Sequence, residues 1–275
     1  MSSASEHTAV NPPRRPLRRR WLPHGLFAAC FVLPVAYETG LYAATDHPAN
    51  FRRANWSSTG LLPPAAEDSA PRVLVFAARN GTWRSIFAVH TWIVLKPENG
   101  SYTRYEVTGF GQPVRVNWMA PDAHWYSNTP QVVADIHGPL AAQAIPKITA
   151  AVDNYAYAKF GDYRIWPGPN SNTFVATVLR AAPELQVAMP PTAIGKDFRA
   201  DNSIAGWTPS RTGFEVELFG LLGLKVAWVE GIEINLFTLV AGLDLRDPAI
   251  KLPGIGRIGL LTPGEQASTE QARAL

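Results

Sequence analysis

Residues Ser85-Ile86-Phe87-Ala88-Val89-His90-Thr91-Trp92-Ile93-Val94-Leu95 decide the fold. β-Branched and aromatic side chains crowd this run, which reads as a β-strand. Upstream, Arg72-Val73-Leu74-Val75-Phe76-Ala77 is a shorter apolar strand and Asn80-Gly81 a turn. Downstream, Pro97-Glu98-Asn99-Gly100 turns the chain, Tyr102–Thr108 returns as a third strand, and residues 112–118 can add a fourth. The segment is an antiparallel meander. A turn centred on Glu98–Gly100 sets residue 90 opposite 108 and residue 92 opposite 106. Glu106 then shares the face of His90 at a diagonal offset of roughly 7–8 Å, and a slip of one residue would turn it away.

Beyond the meander the pattern becomes helical between 129 and 160. Leu140, Ala144, Ile148, Val152 and Tyr155 recur at helical spacing, and Pro146 is expected to kink or split the element. Tyr163-Arg164-Ile165-Trp166-Pro167-Gly168-Pro169-Asn170 is rigid and punctuated. It leads into a second helix from Ser171 to Arg180, capped by Asn170 or Ser171 and ended by Pro183. After a Pro-rich loop, Phe214–Leu218 and Val226–Leu236 alternate as strands. The fold class is α+β, with a core over 72–210, a β-rich part over 211–262 and a flexible tail over 263–275.

The 275 residues are 47% apolar and 17% charged, with a net charge of +3. The charge is concentrated: residues 1–24 hold Arg14, Arg15, Arg18, Arg19 and Arg20 against Glu6, a surplus of four that leaves the other 251 residues at −1. A nucleic-acid footprint is therefore missing from the main domain. The single cysteine, Cys30, excludes a disulfide framework and a cysteine-based zinc site. The apolar run Gly25–Tyr37, continued by Leu41–Ala44, follows the arginines. We read 25–45 as an uncleaved signal anchor, with 1–24 as a basic cytoplasmic segment and 46–71 as a linker rich in Pro, Ala and Ser. A signal-peptide core is the other reading of the same run. Trp228 and Phe237 in the apolar C-terminal stretch could rest on a membrane surface, whereas its glycines and acids argue against a second span.

Two features carry chemistry together, a histidine within an apolar strand and a serine at a turn opening a helix. A nucleophile at a helix N-terminus sits beside unsatisfied N–H groups that can hold an oxyanion, but a serine hydroxyl needs a base. His90 is the base candidate, Ser171 the nucleophile and Glu106 the residue that would orient the imidazole. Trp92, Tyr163, Trp166, Asn170 and Asn172 are the candidate substrate contacts. His124 and His137 could join His90 at a metal, but their spacing fits no short zinc motif, so no metal or cofactor is assigned. Asp197 and Asp201 read as turn residues, and Gly254, Gly256 and Gly259 as a chance G-x-G-x-x-G string.

His90-Thr91-Trp92-Ile93 and Asn170-Ser171-Asn172-Thr173-Phe174 resemble the His strand and the Asn-Cys-x-x-Phe helix start of circularly permuted papain-like proteins, which include NlpC-type peptidases. Ser171 stands where those proteins have cysteine. More closely, Trp166–Phe174 and Lys251-Leu252-Pro253-Gly254-Ile255-Gly256-Arg257 resemble an uncharacterised bacterial family of unknown function. The arginine cluster and the apolar run, taken with the bacterial resemblance, make the chain a single-pass inner-membrane protein with its main domain periplasmic or otherwise extracytoplasmic. The resemblance implies a permuted papain-like core for that domain. The protein's partners would be the membrane, through 25–45, and either peptidoglycan peptides or lipid. Two classes follow. The favoured one is a binding or structural module that has lost its nucleophile. The other is a Ser/His-dependent amidase, peptidase or acyltransferase.

Overall fold

The computed structural model describes residues 17–260; the tail expected over 263–275 and the first arginines of the basic segment lie outside the described residues. β1 (Arg72–Arg79), β2 (Val89–Lys96), β3 (Thr103–Val107), β4 (Val114–Val116) and β5 (Gln131–His137) form an antiparallel sheet in the order β4-β3-β2-β1-β5. The β2–β3 register, Ile93↔Tyr105 and Val94↔Arg104, continues to set Trp92 opposite Glu106. The stretch expected to be helical from 129 opens instead as β5, because Gln131–His137 finds a partner edge in β1, with a bulge opposite Val75 and Phe76 that lets Val132 face one core and Ala134 and Ile136 the other. α3 (Gly138–Asp153) then runs through Pro146 unbroken. The carbonyl that Pro146 cannot bond belongs to Ala142, which is exposed, so solvent can take that bond.

Alternation along β1 and β2 divides two cores. Val73, Val75, Ala77, Val89 and Ile93 face α3 and α4 (Ser171–Arg180), while Leu74, Phe76, Ala78, Trp92 and Val94 face the other way, onto Trp125. The second core also takes Trp56 from the stretch expected to be a slack linker. Asp122 pins that stretch, accepting from Ser58 Oγ at 2.6 Å and from Leu61 N at 2.8 Å.

A second antiparallel sheet follows, a seven-stranded meander from β6 (Ala205–Trp207) to β12 (Gly256–Gly259) in sequence order. Between them lie β7 (Gly213–Leu218), β8 (Leu222–Ala227), β9 (Gly231–Leu236), β10 (Leu239–Asp244) and β11 (Ala249–Leu252). Its polarity is inverted. Glu215, Lys225, Glu233 and Lys251 are buried, whereas Phe214, Val216, Leu224 and Ile234, which alternate with them, are each about half exposed. The buried residues line up by register, Glu215↔Lys225↔Glu233, with Lys251 one strand beyond Gly242. They meet the loop after α4: Lys196 Nζ lies 2.6 Å from Glu233, Lys225 Nζ 2.8 Å from Asp197, and Lys251 Nζ 2.8 Å from Glu233. Asp197, expected to be a turn residue, is thus buried between two lysines. Burial opposes the charge on Lys225, but the carboxylates of Asp197, Glu215 and Glu233 outweigh it and hold the ammonium well above its ordinary range.

The N-terminal helix is α-helical over α1 (Leu17–Phe27), π-helical over Ala28–Val32 and α-helical again over α2 (Leu33–Ala44). Pro34 lacks an N–H and crowds the carbonyl four residues back, which accounts for the widened turn before it. Trp21–Ala44 is long and apolar enough to cross a membrane, as an anchor or a signal sequence. This helix is docked: Pro34 is buried, Glu38 Oε2 lies 3.5 Å from Arg79 Nη2, and the π-helical turn packs against β10.

Glu217 sits at the end of the buried row, where Gly223 opposite leaves room for its carboxyl. Burial and then the nearby Asp197 carboxylate push its pKa up to about 8. Folding therefore favours the protonated form, and stability is lost as pH rises from the ordinary value of 4.5 through about 8. Denaturant titrations of the detergent-solubilised chain across this window should show that Glu217→Gln flattens the decline. An unchanged pH slope would contradict the assignment.

Candidate functional site

β2 carries His90 and Thr91 on opposite faces, and this alternation separates the sequence-predicted site. His90 points to the Trp125 side, stacked on that indole with ring centroids 3.6 Å apart. Its Nε2 donates to Glu106 Oε2 at 2.8 Å, and Arg104 Nη2 donates to the same oxygen at 2.9 Å. Burial pushes the His90 pKa down, while His90 and Arg104 overcome burial to hold Glu106 below its ordinary range. Trp92 is fully buried beside them, stacked on Phe76 and covered by the Arg104 guanidinium at 4.1 Å. The structure therefore brings His90 and Glu106 together, but in a closed polar cluster. α4 and Ser171 lie across the sheet. His90 cannot serve as base to Ser171 from there, and Trp92 has no face left for a substrate.

Thr91 points toward α4. Its Oγ1 donates to Asn172 Oδ1 at 2.8 Å, and Asn172 Nδ2 donates to the carbonyls of Val89 and Ile194 at 3.0 and 2.7 Å. Asn170 caps the helix: Oδ1 accepts from Asn172 N and Thr173 N, while Asn170 N donates to Thr173 Oγ1. Asn170 Nδ2 donates to the carbonyls of Ile165 and Ile194, both at 3.0 Å. Gly195 (φ 96°) is required beside it, since a Cβ there would stand 2.3 Å from Asn170 Nδ2. Asn170 and Asn172 thus spend their polar groups on the scaffold. The partners that hold them, Thr91 and the carbonyls of Val89, Ile165 and Ile194, carry no sequence signal of their own.

Ser171 is different. It is 4% exposed, and among the described residues nothing hydrogen-bonds its hydroxyl or its backbone N–H. Both are at the first turn of α4, where free N–H groups concentrate positive potential. Ser171 lines a largely apolar cavity of about 330 Å³, within the usual range for small-molecule sites. Its wall includes Tyr163, Ile165 and Trp166 from the Pro-Gly-Pro corner, Trp83 and Phe87 from the loop before β2, and Phe237 from the β9–β10 turn. Val35 of the N-terminal helix closes one side. Trp166, half exposed, is held by its Nε1 donating to Thr238 Oγ1 at 2.9 Å. Arg84 and Tyr163 are the titratable groups in the described wall, and burial pushes the Tyr163 phenol up to about 12. Sequence reading reached Ser171, Tyr163 and Trp166. It missed Arg84, Phe87, Phe237 and Val35, which reach the cavity from three separate places: the segment before β2, the β9–β10 turn and the N-terminal helix.

Residues 70–198 match the family model described as "Protein of unknown function (DUF3750)". No curated protein and no solved structure matches the chain. The matched segment holds the first sheet, α3, α4 and the Ser171 corner, and it ends before the seven-stranded sheet.

Because Asn170 is the cap and Ser171 is not, the two should separate under mutation. Asn170→Ala removes the cap and two further bonds and should cost about 2 kcal/mol or more. Ser171→Ala should stay within about 0.5 kcal/mol. Equilibrium unfolding of the detergent-solubilised chain measures both; equal losses would contradict this division.

Proposed function

We propose that the protein is a membrane-anchored binding module of the bacterial envelope, its main domain on the periplasmic side, whose cavity holds an amphiphile with an apolar chain and an anionic head. The carrying observation is that the Ser171 N–H and hydroxyl, unpartnered among the described residues, line an apolar cavity walled partly by the anchor helix. Facing the cavity, the hydroxyl and the N–H are both free to donate to a ligand, and a ligand that accepts from them gains accordingly. An anionic head suits that corner: the helix N-terminus and the Arg84 guanidinium both favour negative charge, and no carboxylate is in the described wall. The apolar wall suits the chain, and a lipid molecule could reach it along the Val35 side without crossing water. The Arg-rich segment before the helix supports the orientation.

The same wall weighs against the catalytic reading, an amidase, peptidase or acyltransferase on a permuted papain-like scaffold. A serine needs a base within hydrogen-bond reach. The described wall supplies no imidazole or carboxylate, and a phenol held at about 12 stays protonated at neutral pH. Ser171 in the place of cysteine removes the thiolate such chemistry uses. Lipid is likewise favoured over peptidoglycan peptides, because the wall offers few polar groups to a peptide backbone.

The test is a binding titration of the full chain in detergent with a fluorescent fatty acid, alongside mass spectrometry of organic extracts. The parent chain should bind the probe saturably and carry an acyl amphiphile. Ala88→Trp, which fills the cavity, and Ser171→Leu, which removes the hydroxyl, should each weaken binding at least tenfold, about 1.4 kcal/mol. Unchanged affinity in both variants would overturn the site. Fluorophosphonate labelling that disappears in Ser171→Ala would overturn the binding reading in favour of a nucleophile.

A further inference from the structure

The outward face of the seven-stranded sheet presents an unbroken apolar surface. Cross-strand pairing carries one row from Phe214 through Val226, Ile232, Leu243 and Ile250 to Ile258. A second row pairs Val216 with Leu224 and Leu224 with Ile234. Most of these side chains are about half exposed, as far as a residue flanked by two strands can be, and a contiguous patch this wide marks an interaction surface. Aromatic residues border it: Trp207 and Phe219 are 63% and 69% exposed, Trp228 and Phe237 56% and 66%.

One feature says what covers the face. The π-helical turn of the N-terminal helix packs against β10, and Glu38 farther along the helix reaches Arg79 of the core. The apolar helix therefore leaves the domain beside this sheet, and its apolar surface adjoins that of the sheet. The sheet cannot sink through hydrocarbon, since it is open, with β6 and β12 at its edges rather than closed into a barrel. It can lie flat at the interface, with its aromatic border at headgroup level.

We propose that the outward face of the seven-stranded sheet rests on the lipid bilayer beside the anchor helix, so that the domain is held flat against the membrane rather than suspended from it. The proposal rests on the anchor reading, but not on the ligand of the Ser171 cavity. Such a posture would keep the Val35 side of that cavity at the lipid surface.

The test uses the full chain in nanodiscs of phosphatidylcholine and phosphatidylglycerol, labelled at single cysteines with an environment-sensitive fluorophore. The native Cys30 reports on the helix. In a Cys30→Ser background, Leu224→Cys and Ile234→Cys report on the sheet face, and Gln143→Cys on the solvent side of α3 is the control. Labels at 224 and 234 should be blue-shifted and quenched by doxyl-labelled lipids, as at Cys30, while the label at 143 should be neither. Quenching at Cys30 without quenching at 224 and 234 would overturn the proposal and leave the anchor standing. If 224 and 234 instead cross-link between copies, the face belongs to a second chain and the proposal fails. Absence of quenching at Cys30 as well would overturn the anchor reading itself.

Discussion

A buried row of alternating charge organises the second half of this protein. Glu215, Lys225 and Glu233 sit side by side on three neighbouring strands, with Lys251 beyond a glycine, and Lys196 and Asp197 complete the set from the core. Charges removed from water are tolerated only when paired, and removing one member leaves its neighbour buried alone. The row therefore fixes which face of the sheet points inward. Because strand side chains alternate with a period of two, it also drives every intervening Phe, Val, Leu and Ile outward. The apolar outer surface is a geometric consequence of the ionic inner one.

That constraint reaches the cavity. The sheet is clamped to the loop after α4 through Lys196 and Asp197, next to Ile194 and Gly195, whose carbonyls hold Asn170, Asn172 and Thr173. The same clamp sets the β9–β10 turn against Trp166 and the N-terminal helix against β10. N-terminal helix, apolar sheet face and cavity thus form one mechanical unit. Ser171 has no hydrogen-bond partner among the described residues, because its neighbours engage each other: Asn170 takes the N–H groups of residues 172 and 173, and Asn172 takes Thr91 and Val89.

Much of the core was legible in the sequence. The runs around Val73 and Val89, the turn at Glu98–Gly100 and the cap at Asn170 are local signals, so the meander, the 92–106 register and the start of α4 follow from them. The limits lie where distant partners decide. Gln131–His137 reads as helix when taken with 138–153, and only the open edge of β1 makes it a strand. Residues 57–62 look like a spacer until Asp122 is found beneath them. The His90–Glu106 bond was readable from the hairpin. The separation from Ser171 was not, because a strand sequence specifies that neighbours face opposite ways without specifying which side a later helix will cover.

The sequence by itself determined an apolar N-terminal helix behind an arginine cluster, an α+β core, and strands alternating charged with apolar residues from Phe214 onward. Only the tertiary structure decided that the charged side of those strands would be the buried one. A single strand offers two faces of equal standing; the choice between them is made by what packs against it. Here that is a loop presenting Lys196 and Asp197, whose own charges need partners away from water.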